Sequence, residues 1–371
     1  MNKKILIVIN SSEYAYKMRL NLAKSIKIKG YRVIFVAPYD KKYTKLIKEE
    51  FEFINLEIDS KGINPMKDLK TIFQLYNIFK EIKPNILLNF TIKPNIYSAL
   101  IGGVLGIKSI NNITGLGTIF IKKSFITNIA KILYKFAFKS NHKVFFQNNE
   151  DLNLFLKNKL IKINKTELIP GSGVDLNKFI PQDRTDNKKF VFLMIARILK
   201  DKGVYEYIEA IKIIKEKYSD VEFQLLGASD SKNNTAISKI EIDNWIKEGL
   251  INYLGITDDV PFYISSSNCV VLPSYREGVS RSLLEAAAME KPLITTDVPG
   301  CKEVVDDNKN GFLCKVKDSK DLANKMEIML NLSENARINM GKEGRNKIIR
   351  EFDEKFVINK YIKNIQEVLS E

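Results

Sequence analysis

Continuous apolar runs alternate with amphipathic stretches along most of the chain. Such runs are typical of strands buried on both faces of a parallel sheet, and the periodic stretches between them indicate covering helices. This order predicts an α/β protein built from doubly wound parallel sheets. The predicted strands are 4–10, 32–37, 85–90, 143–146, 190–196, 221–226, 251–254, 269–272, 293–297 and 311–316. The predicted helices are 18–29, 96–105, 124–139, 205–217, 282–290, 321–332, 334–352 and 353–369.

A Gly- and Pro-containing stretch near the middle of the chain marks a domain junction. It reads IPGSGVDLNKFIP over 169–181 and is followed by the polar run 182–189. The chain has 371 residues, enough for two domains that each bury a core. We place the boundary between residues 172 and 173.

The turn after the predicted strand 269–272 carries the most informative chemistry. Glu277 and Gly278 stand in a short loop, and Glu285 follows about two turns into a helix. A helix N-terminus at Val279, Ser280 and Arg281 would offer free amides to an anion. A carboxylate on each side suits a ligand with a central diphosphate and hydroxyl-rich sugars at both ends. The alternative is one solvated glutamate and one ordinary helix glutamate.

Two cations follow the predicted strand 190–196. Arg197 and Lys202 precede a helix, where a planar guanidinium and a point charge are well placed for a diphosphate. The sequence supplies no convincing D-x-D pair for a metal ion. Asp258-Asp259 and Asp306-Asp307 read as turn acids, so we predict no metal site.

The N-terminal half supplies further candidates at the ends of strands, where open α/β sheets bind ligands. Lys93 follows the strand 85–90 in T-I-K-P-N, and Thr114, Gly115 and Gly117 stand in T-G-L-G. The loop 11–16 lacks G-x-G-x-x-G and is therefore no dinucleotide fingerprint. The glycines of T-G-L-G would let the backbone approach a sugar, or they form an ordinary turn.

The net charge of +15 is distributed unevenly. Residues 1–180 carry 30 Lys and Arg against 13 Asp and Glu, whereas residues 181–371 carry 29 against 31. Residues 82–149 contain nine lysines and no acid. A lysine-rich proteome would load both halves alike. The asymmetry therefore indicates an anionic partner, which is a membrane surface, a diphosphate-bearing substrate or nucleic acid.

The predicted helix 124–139 combines aromatic and aliphatic residues with lysines. Lys122, Lys123, Lys131, Lys135 and Lys139 flank or line it. This composition is typical of a helix that lies in a membrane interface. A core-packing helix with a solvated basic face has the same pattern, and both alternatives stay open.

Targeting and cysteine content complete the expectations. We expect no signal peptide and no transmembrane helix, because no apolar run approaches about 18 residues. Cys269, Cys301 and Cys314 are expected to be free thiols in a reducing cytoplasm. His142, the single histidine, starts a strand and is expected to be structural.

The segment E-G-V-S-R-S-L-L-E-A resembles the E-x7-E signature of the family-4 retaining glycosyltransferases. R-x4-K-G at 197–203 and P-G-S-G-V-D at 170–175 also resemble motifs of this family. T-I-K-P-N and T-G-L-G resemble motifs of members that extend lipid-linked oligosaccharides. The resemblance implies the GT-B architecture, in which two Rossmann-like domains face a cleft. The domains are then 1–172, which binds the acceptor and faces the membrane, 173–352, which binds the nucleotide-sugar, and 353–371, a helix crossing back to the first.

The resemblance also implies roles for individual residues. Glu277 contacts sugar hydroxyls, Glu285 contacts the ribose, and Arg197 and Lys202 stabilise the leaving diphosphate. Many members carry a histidine at the donor sugar that this chain lacks. The other donor-binding positions are Gly278, Val279, Ser280, Arg281, Gly115 and Gly117, with the nucleobase cradled at Gly255, Ile256 and Val260. Acceptor-binding positions are Arg19, Lys93 and Thr114, although Arg19 also fits a plain surface position.

The activity expected from the resemblance is transfer of an N-acetylhexosamine, with GalNAc favoured, from a UDP-sugar. The acceptor is a saccharide on undecaprenyl diphosphate, as in bacterial protein N-glycosylation. The enzyme would be peripheral on the cytoplasmic face of the inner membrane and would need no cofactor or metal.

Three alternatives stay open. A capsule or O-antigen hexosyltransferase has the same motifs. A UDP-N-acetylglucosamine 2-epimerase shares the two-domain fold and would release an altered sugar-nucleotide with no acceptor present. A basic nucleic-acid-binding protein would also fit the charge, although the N-terminal half has no recognisable nucleic-acid module.

Overall fold

The computed structural model describes residues 3–60, 62, 64–116, 125–182, 189–229, 233 and 235–370. The chain divides into two compact units. The N-terminal unit is Met1–Ile169 together with Lys355–Glu371, and the C-terminal unit is Pro170–Glu354. The last helix therefore belongs to the N-terminal unit.

The N-terminal unit contains a seven-stranded parallel sheet in the order β3-β2-β1-β4-β5-β6-β7. The first strand, β1, pairs on both sides, with Ile5 opposite Val33 of β2 and Ile86 of β4. The strands are β1 Lys4–Val8, β2 Arg32–Ala37, β3 Glu52–Asn55, β4 Ile86–Phe90, β5 Lys108–Ile113, β6 Lys143–Phe146 and β7 Thr166–Leu168.

Helices cover both faces of this sheet. Ile5 and Ile7 point into one core and Leu6 and Val8 into the other, because successive side chains of a strand alternate. The first core is covered by α1 Ser12–Ile28, α2 Tyr43–Lys48 and the last helix α13 Glu354–Ser370. The second core is covered by α3 Pro65–Ile82, α4 Ile92–Val104, α5 Phe125–Ala137 and α6 Asn149–Lys157.

Two helices start earlier than the sequence predicts. α1 begins at Ser12, so most of the predicted loop 11–16 is helical, and the Ser11 hydroxyl accepts a hydrogen bond from the Tyr14 amide (3.3 Å). α4 begins at Ile92, which places Lys93 in its first turn instead of a loop. Pro94 is tolerated there because a first-turn amide needs no helical acceptor.

The C-terminal unit contains a six-stranded sheet in the order β10-β9-β8-β11-β12-β13, and every pair is parallel. Its strands are β8 Phe190–Ile195, β9 Val221–Leu226, β10 Asn252–Gly255, β11 Cys269–Leu272, β12 Leu293–Thr296 and β13 Gly311–Cys314. Its helices are α7 Val204–Lys215, α8 Lys239–Lys247, α9 Val260–Ser266, α10 Arg281–Ala288, α11 Ser319–Asn331 and α12 Glu334–Glu351. The predicted α/β class with two doubly wound parallel sheets is confirmed.

The structure also bears on the predictions about membrane-spanning helices and cysteines. None of the helices in the described ranges is long and apolar enough to cross a membrane. The three cysteines are buried free thiols, and burial raises the pKa of Cys301 to about 12. Gly117, Lys122, Lys123 and Ser124 lie outside the described residues.

Candidate functional site

The chain order in the C-terminal sheet reverses between β8 and β11. These strands are parallel neighbours, with Cys269 opposite Phe192, so the loops that follow them emerge at one edge. Such a switch point is where open α/β sheets form a ligand crevice. The two loops are joined directly, because the Asp201 carbonyl accepts hydrogen bonds from the Tyr275 amide (2.9 Å) and the Ser274 hydroxyl (3.2 Å).

Lys202 and Glu277 form an ion pair across these two loops. Lys202 Nζ lies 2.5 Å from Glu277 Oε1, and the side chains are only 12% and 17% exposed. Gly203 lets the loops approach this closely: its φ is +75°, and a Cβ there would lie 2.0 Å from the Pro273 carbonyl oxygen. The fold therefore holds an ammonium and a carboxylate together at the switch point.

The second carboxylate of the motif also has a cationic partner. Arg281 Nε lies 2.6 Å from Glu285 Oε1, and Glu285 is buried on α10. The contacts of both glutamates use Oε1, while a carboxylate offers about four lone-pair positions. Each glutamate thus combines a fixed orientation with capacity to accept hydrogen bonds from hydroxyl groups.

The N-terminus of α10 lies between the two carboxylates in sequence. The Ser280 side chain makes no capping hydrogen bond, and the first helical bond runs from the Leu284 amide to the Ser280 carbonyl (3.1 Å). The amides of the first turn therefore have no acceptor within the helix, which favours an anion there. The prediction that the Ser280 amide is itself free is wrong, because that amide donates to the Gly300 carbonyl (2.8 Å).

The loop after β12, residues 298–303, supports the Glu277 backbone, a role that its sequence pattern does not predict. The Glu277 amide donates to the Pro299 carbonyl (2.9 Å), and the Gly300 amide donates to Glu303 Oε2 (2.6 Å). Gly300 has φ +81°, and a Cβ there would lie 2.4 Å from the Glu277 carbonyl carbon. The glycine in V-P-G-C-K-E, placed after a predicted strand, was the available signal for a close backbone approach.

Further polar contacts hold the loop of Lys202 in place. Thr235 Oγ1 donates to Asp201 Oδ1 (2.8 Å), and the Lys200 amide donates to the Thr235 carbonyl (2.8 Å). Tyr275 Oη donates to Glu206 Oε1 (2.6 Å), and burial with this contact raises the pKa of Tyr275. These residues were also not predicted, because each depends on a partner distant in sequence.

The remaining predicted donor residues of the C-terminal unit lie at the same carboxyl edge of its sheet. Arg197 follows β8 with an exposed side chain. Gly255 ends β10, and its carbonyl accepts a hydrogen bond from the Gly227 amide (2.8 Å). Ile256 is exposed, and Val260 opens α9. Gly278 and Val279 stand in the loop before α10. Their assignment to a donor stays a prediction.

The two aspartate pairs occupy turns. Asp259 Oδ1 accepts a hydrogen bond from the Phe262 amide (3.2 Å) at the start of α9, and Asp306 Oδ1 lies 2.7 Å from Lys347 Nζ. Asp307 Oδ1 accepts from the Leu313 amide (2.8 Å). Within the described ranges, no group of three or more His, Cys, Asp or Glu residues has a metal-binding arrangement.

The predicted acceptor residues lie in the N-terminal unit, and the structure engages two of them in other contacts. Arg19 is 3% exposed, and its guanidinium carbon lies 4.2 Å from the centroid of the Phe90 ring. The surface alternative for Arg19 is therefore wrong. Lys93 Nζ lies 2.5 Å from Asp68 Oδ1, so an incoming phosphate would compete with this carboxylate.

Thr114 and Gly115 follow β5, at the carboxyl edge of the N-terminal sheet, and Gly115 has φ +106°. Its prediction as a donor contact, and that of Thr114 as an acceptor contact, stay predictions. His142 precedes β6, at the opposite edge, and its Nε2 lies 3.8 Å from Glu367 Oε2.

Solved structures that are similar over the whole chain define the fold class. A glycosyltransferase from Rickettsia africae is similar over 99% of both chains, with a TM-score of 0.76 and 20% identity. The Anabaena protein HepE in complex with UDP-glucose covers 98% of this chain and 99% of its own, with a TM-score of 0.79 and 16% identity. The fold is therefore GT-B, as predicted.

Family comparisons cover both units. Glycosyl transferases group 1 matches residues 176–347, and Glycosyl transferase 4-like matches residues 4–148. The chain belongs to the family-4 glycosyltransferases and is a transferase enzyme. The epimerase and nucleic-acid alternatives are therefore set aside.

Two relatives of known activity are similar over most of their length. The N,N'-diacetylbacillosaminyl-diphospho-undecaprenol alpha-1,3-N-acetylgalactosaminyltransferase of Campylobacter jejuni is 29% identical, over 95% of this chain and 96% of its own. The UDP-Gal:alpha-D-GlcNAc-diphosphoundecaprenol alpha-1,3-galactosyltransferase of Escherichia coli is 27% identical, over 79% of this chain and 78% of its own.

Proposed function

We propose that this enzyme is a retaining transferase that moves an N-acetylhexosamine, with GalNAc favoured, from a UDP-sugar to a saccharide on undecaprenyl diphosphate. The observation that carries the proposal is the pairing of Lys202 with Glu277 and of Arg281 with Glu285 around the switch point. The names of the Campylobacter and Escherichia relatives support a lipid-linked acceptor. A capsule or O-antigen hexosyltransferase remains the second candidate, supported by similarity to a Staphylococcus aureus capsular polysaccharide glycosyltransferase.

The donor would lie along the carboxyl edge of the C-terminal sheet. Arg197, Lys202 and the first-turn amides of α10 would hold the diphosphate, because all three present positive potential. Glu277 would accept hydrogen bonds from the sugar hydroxyls and Glu285 from the ribose. The nucleobase would lie at the loop from Gly255 to Val260. A cationic site fixed in advance stabilises charge that develops on a leaving diphosphate.

The proposed chemistry is a front-face displacement at the anomeric carbon. The bond to the β-phosphate oxygen breaks, the bond to the acceptor oxygen forms on the same face, and the departing oxygen takes the acceptor proton. No histidine base is required. His142 is the only histidine of the chain, and it lies at the amino edge of the N-terminal sheet.

Transfer is expected to continue in excess EDTA. The leaving diphosphate would be neutralised by Lys202, Arg197 and the N-terminus of α10, which replace the divalent cation used at other diphosphate sites. The measurement is the initial rate with and without EDTA, after dialysis. Complete loss of activity that Mg²⁺ or Mn²⁺ restores would contradict the proposal and assign one of the aspartate pairs to a metal.

The N-terminal unit would bind the acceptor through Arg19, Lys93 and Thr114 and would dock peripherally on the cytoplasmic membrane surface. Lys93 and Thr114 lie at the carboxyl edge of its sheet. The Arg19 guanidinium packs against the ring of Phe90, the last residue of β4. On α5, the exposed apolar residues Ile129, Ile132 and Phe136 accompany Lys131 and Lys135, and Lys139 follows just after the helix. This combination supports reversible binding to an anionic surface.

A panel of UDP-sugars tested with extracted lipid-linked acceptors decides between the candidates. We expect transfer from UDP-GalNAc, with an α linkage in the product, and little or none from UDP-glucose or UDP-galactose. Preferred transfer from UDP-galactose or UDP-glucose would favour the capsule or O-antigen alternative. An altered sugar-nucleotide formed without any acceptor would contradict a transferase that uses this site.

A further inference from the structure

The outer face of one helical layer of the N-terminal unit is unusually apolar. α4 lies between α3 and α5 and packs against both, so the three helices form one layer over the same face of the sheet. Their inner sides supply the second core described above. Their outer sides carry large apolar side chains that no described part of the chain covers.

α3 contributes a complete stripe to this outer face. Met66, Leu69 and Phe73 are 74%, 59% and 66% exposed. Their spacing of three and four positions places them on one side of the helix, opposite the buried Thr71 and Leu75. A stripe of this kind normally packs against something, because single scattered exposed residues are the usual case in monomers.

α5 carries a matching stripe with the same spacing. Ile129, Ile132 and Phe136 are 42%, 56% and 61% exposed, opposite the buried Ala130 and Tyr134. Between the two helices, Val104 at the end of α4 is also exposed. The opposite helical layer differs: in the described parts of α1, α2 and α13, the exposed large apolar residues are Ile28 and Phe356.

The charge beside these stripes identifies the kind of partner. Lys135 and Lys139 are exposed next to the α5 stripe, and Lys131 Nζ lies 2.9 Å from the uncharged Asn158 Oδ1. Asp68 of α3 is already paired with Lys93. A second copy of this face would carry the same lysines, so the interface would join two surfaces of like charge, which is unfavourable. An anionic bilayer offers both acidic headgroups and an apolar interior.

We propose that the outer faces of α3, α4 and α5 form one docking surface for an anionic lipid bilayer. The stripe on α3 inserts at the boundary between headgroups and acyl chains together with the stripe on α5, and the lysines of α5 contact the headgroups. The inference rests on the proposed function, because a polyprenyl-linked acceptor requires such docking. It adds a second helix whose contribution is apolar and therefore insensitive to salt.

The test is the Leu69→Ser/Phe73→Ser variant of the full chain, with Ile28→Ser as the control on the opposite layer. Partition is measured on vesicles of phosphatidylcholine with phosphatidylglycerol, and on phosphatidylcholine alone, at low and high salt. We expect the double variant to lose about tenfold in partition at both salt concentrations, since two inserted apolar side chains are removed. Ile28→Ser should match wild type.

Three outcomes would contradict the role of α3, the choice of a bilayer as the partner, or the proposed function. Wild-type partition of the double variant would overturn the role of α3. A wild-type dimer that the double variant converts to monomers in sedimentation analysis would identify the face as an interface between copies and also overturn the proposal. Normal vesicle binding without transfer to any lipid-linked acceptor would contradict the proposed function and leave the docking surface standing. Transfer to a short-chain, water-soluble acceptor should be the same for both variants and wild type.

Discussion

Lys202→Ala and Glu285→Ala should each lower kcat/KM by about 100-fold or more. Lys202 is the cation held against Glu277, and losing a charge contact that stabilises a leaving group costs this order of magnitude. Glu285 orients Arg281 and would fix the ribose, so its removal misplaces the donor. Initial rates measured over a range of UDP-sugar concentrations give kcat and KM for each variant.

Matched controls come from the surface of the same unit. Lys212 and Glu209 form an exposed pair, with Nζ 2.8 Å from Oε1, and alanine at either position should change kcat/KM by less than about twofold. The fold of the Lys202 and Glu285 variants should persist in circular dichroism, because neither side chain belongs to the apolar core of the C-terminal unit. Near-wild-type kcat/KM in either variant would show that the donor site is elsewhere.

The coupling of Lys202 and Glu277 provides an internal check. Lys202→Ala removes the ammonium that pairs with the Glu277 carboxylate, so part of the loss reflects that uncompensated charge. Lys202→Met keeps the length of the side chain without its charge, so this variant isolates the loss of the charge. If the pair acts as one unit, the double variant Lys202→Ala/Glu277→Ala should be less impaired than the product of the two single losses.

Reversing Lys131, Lys135 and Lys139 to glutamate should abolish sedimentation with anionic vesicles. Each lysine near an anionic surface contributes on the order of 1 kcal/mol, and each reversal adds a similar repulsion. Partition should therefore fall by about a thousandfold or more at low salt. Turnover of a long-chain acceptor should fall as well, whereas the KM for the UDP-sugar should not change, since the predicted donor residues of the E-x7-E turn lie in the C-terminal unit.

The control for this variant makes the same change in net charge elsewhere. Lys41, Lys45 and Lys48 are exposed on or just before α2, which covers the opposite face of the N-terminal sheet. Their reversal should leave most vesicle binding intact. If the α5 variant still sedimented like wild type, α5 would be an ordinary core-packing helix, and the basic surface would require another explanation.

Local patterns in the sequence determined most of the strands that precede the candidate site residues in each unit. The strands before Arg197 and Glu277 are continuous apolar runs, and the strand before Lys93 is apolar except for Asn89. A parallel strand that is buried on both faces needs such a run. Gly203 and Gly278 mark turns where the backbone needs freedom. The excess of positive charge in the N-terminal half by itself indicates an anionic partner. Among the unassigned elements, β3 and β7 are four and three residues long, too short to show a periodicity. The unassigned helix α3 carries large apolar residues on its exposed side as well as on its buried side.

The tertiary structure alone decided which side chains meet. Lys202 and Glu277 are 75 positions apart and come together because β8 lies beside β11. The periodicity of a sequence indicates which face of a strand is buried, but it does not indicate which strand lies beside it. The same limit applies to Asn112 and Tyr361, whose side chains are hydrogen-bonded across 249 positions. Only the packing of α3 beside α4 shows that Lys93 is held by Asp68 and that the α3 stripe is uncovered. The local sequence pattern determines which side chains of a segment can be buried. The strand order and the helix packing determine which other segment those side chains contact.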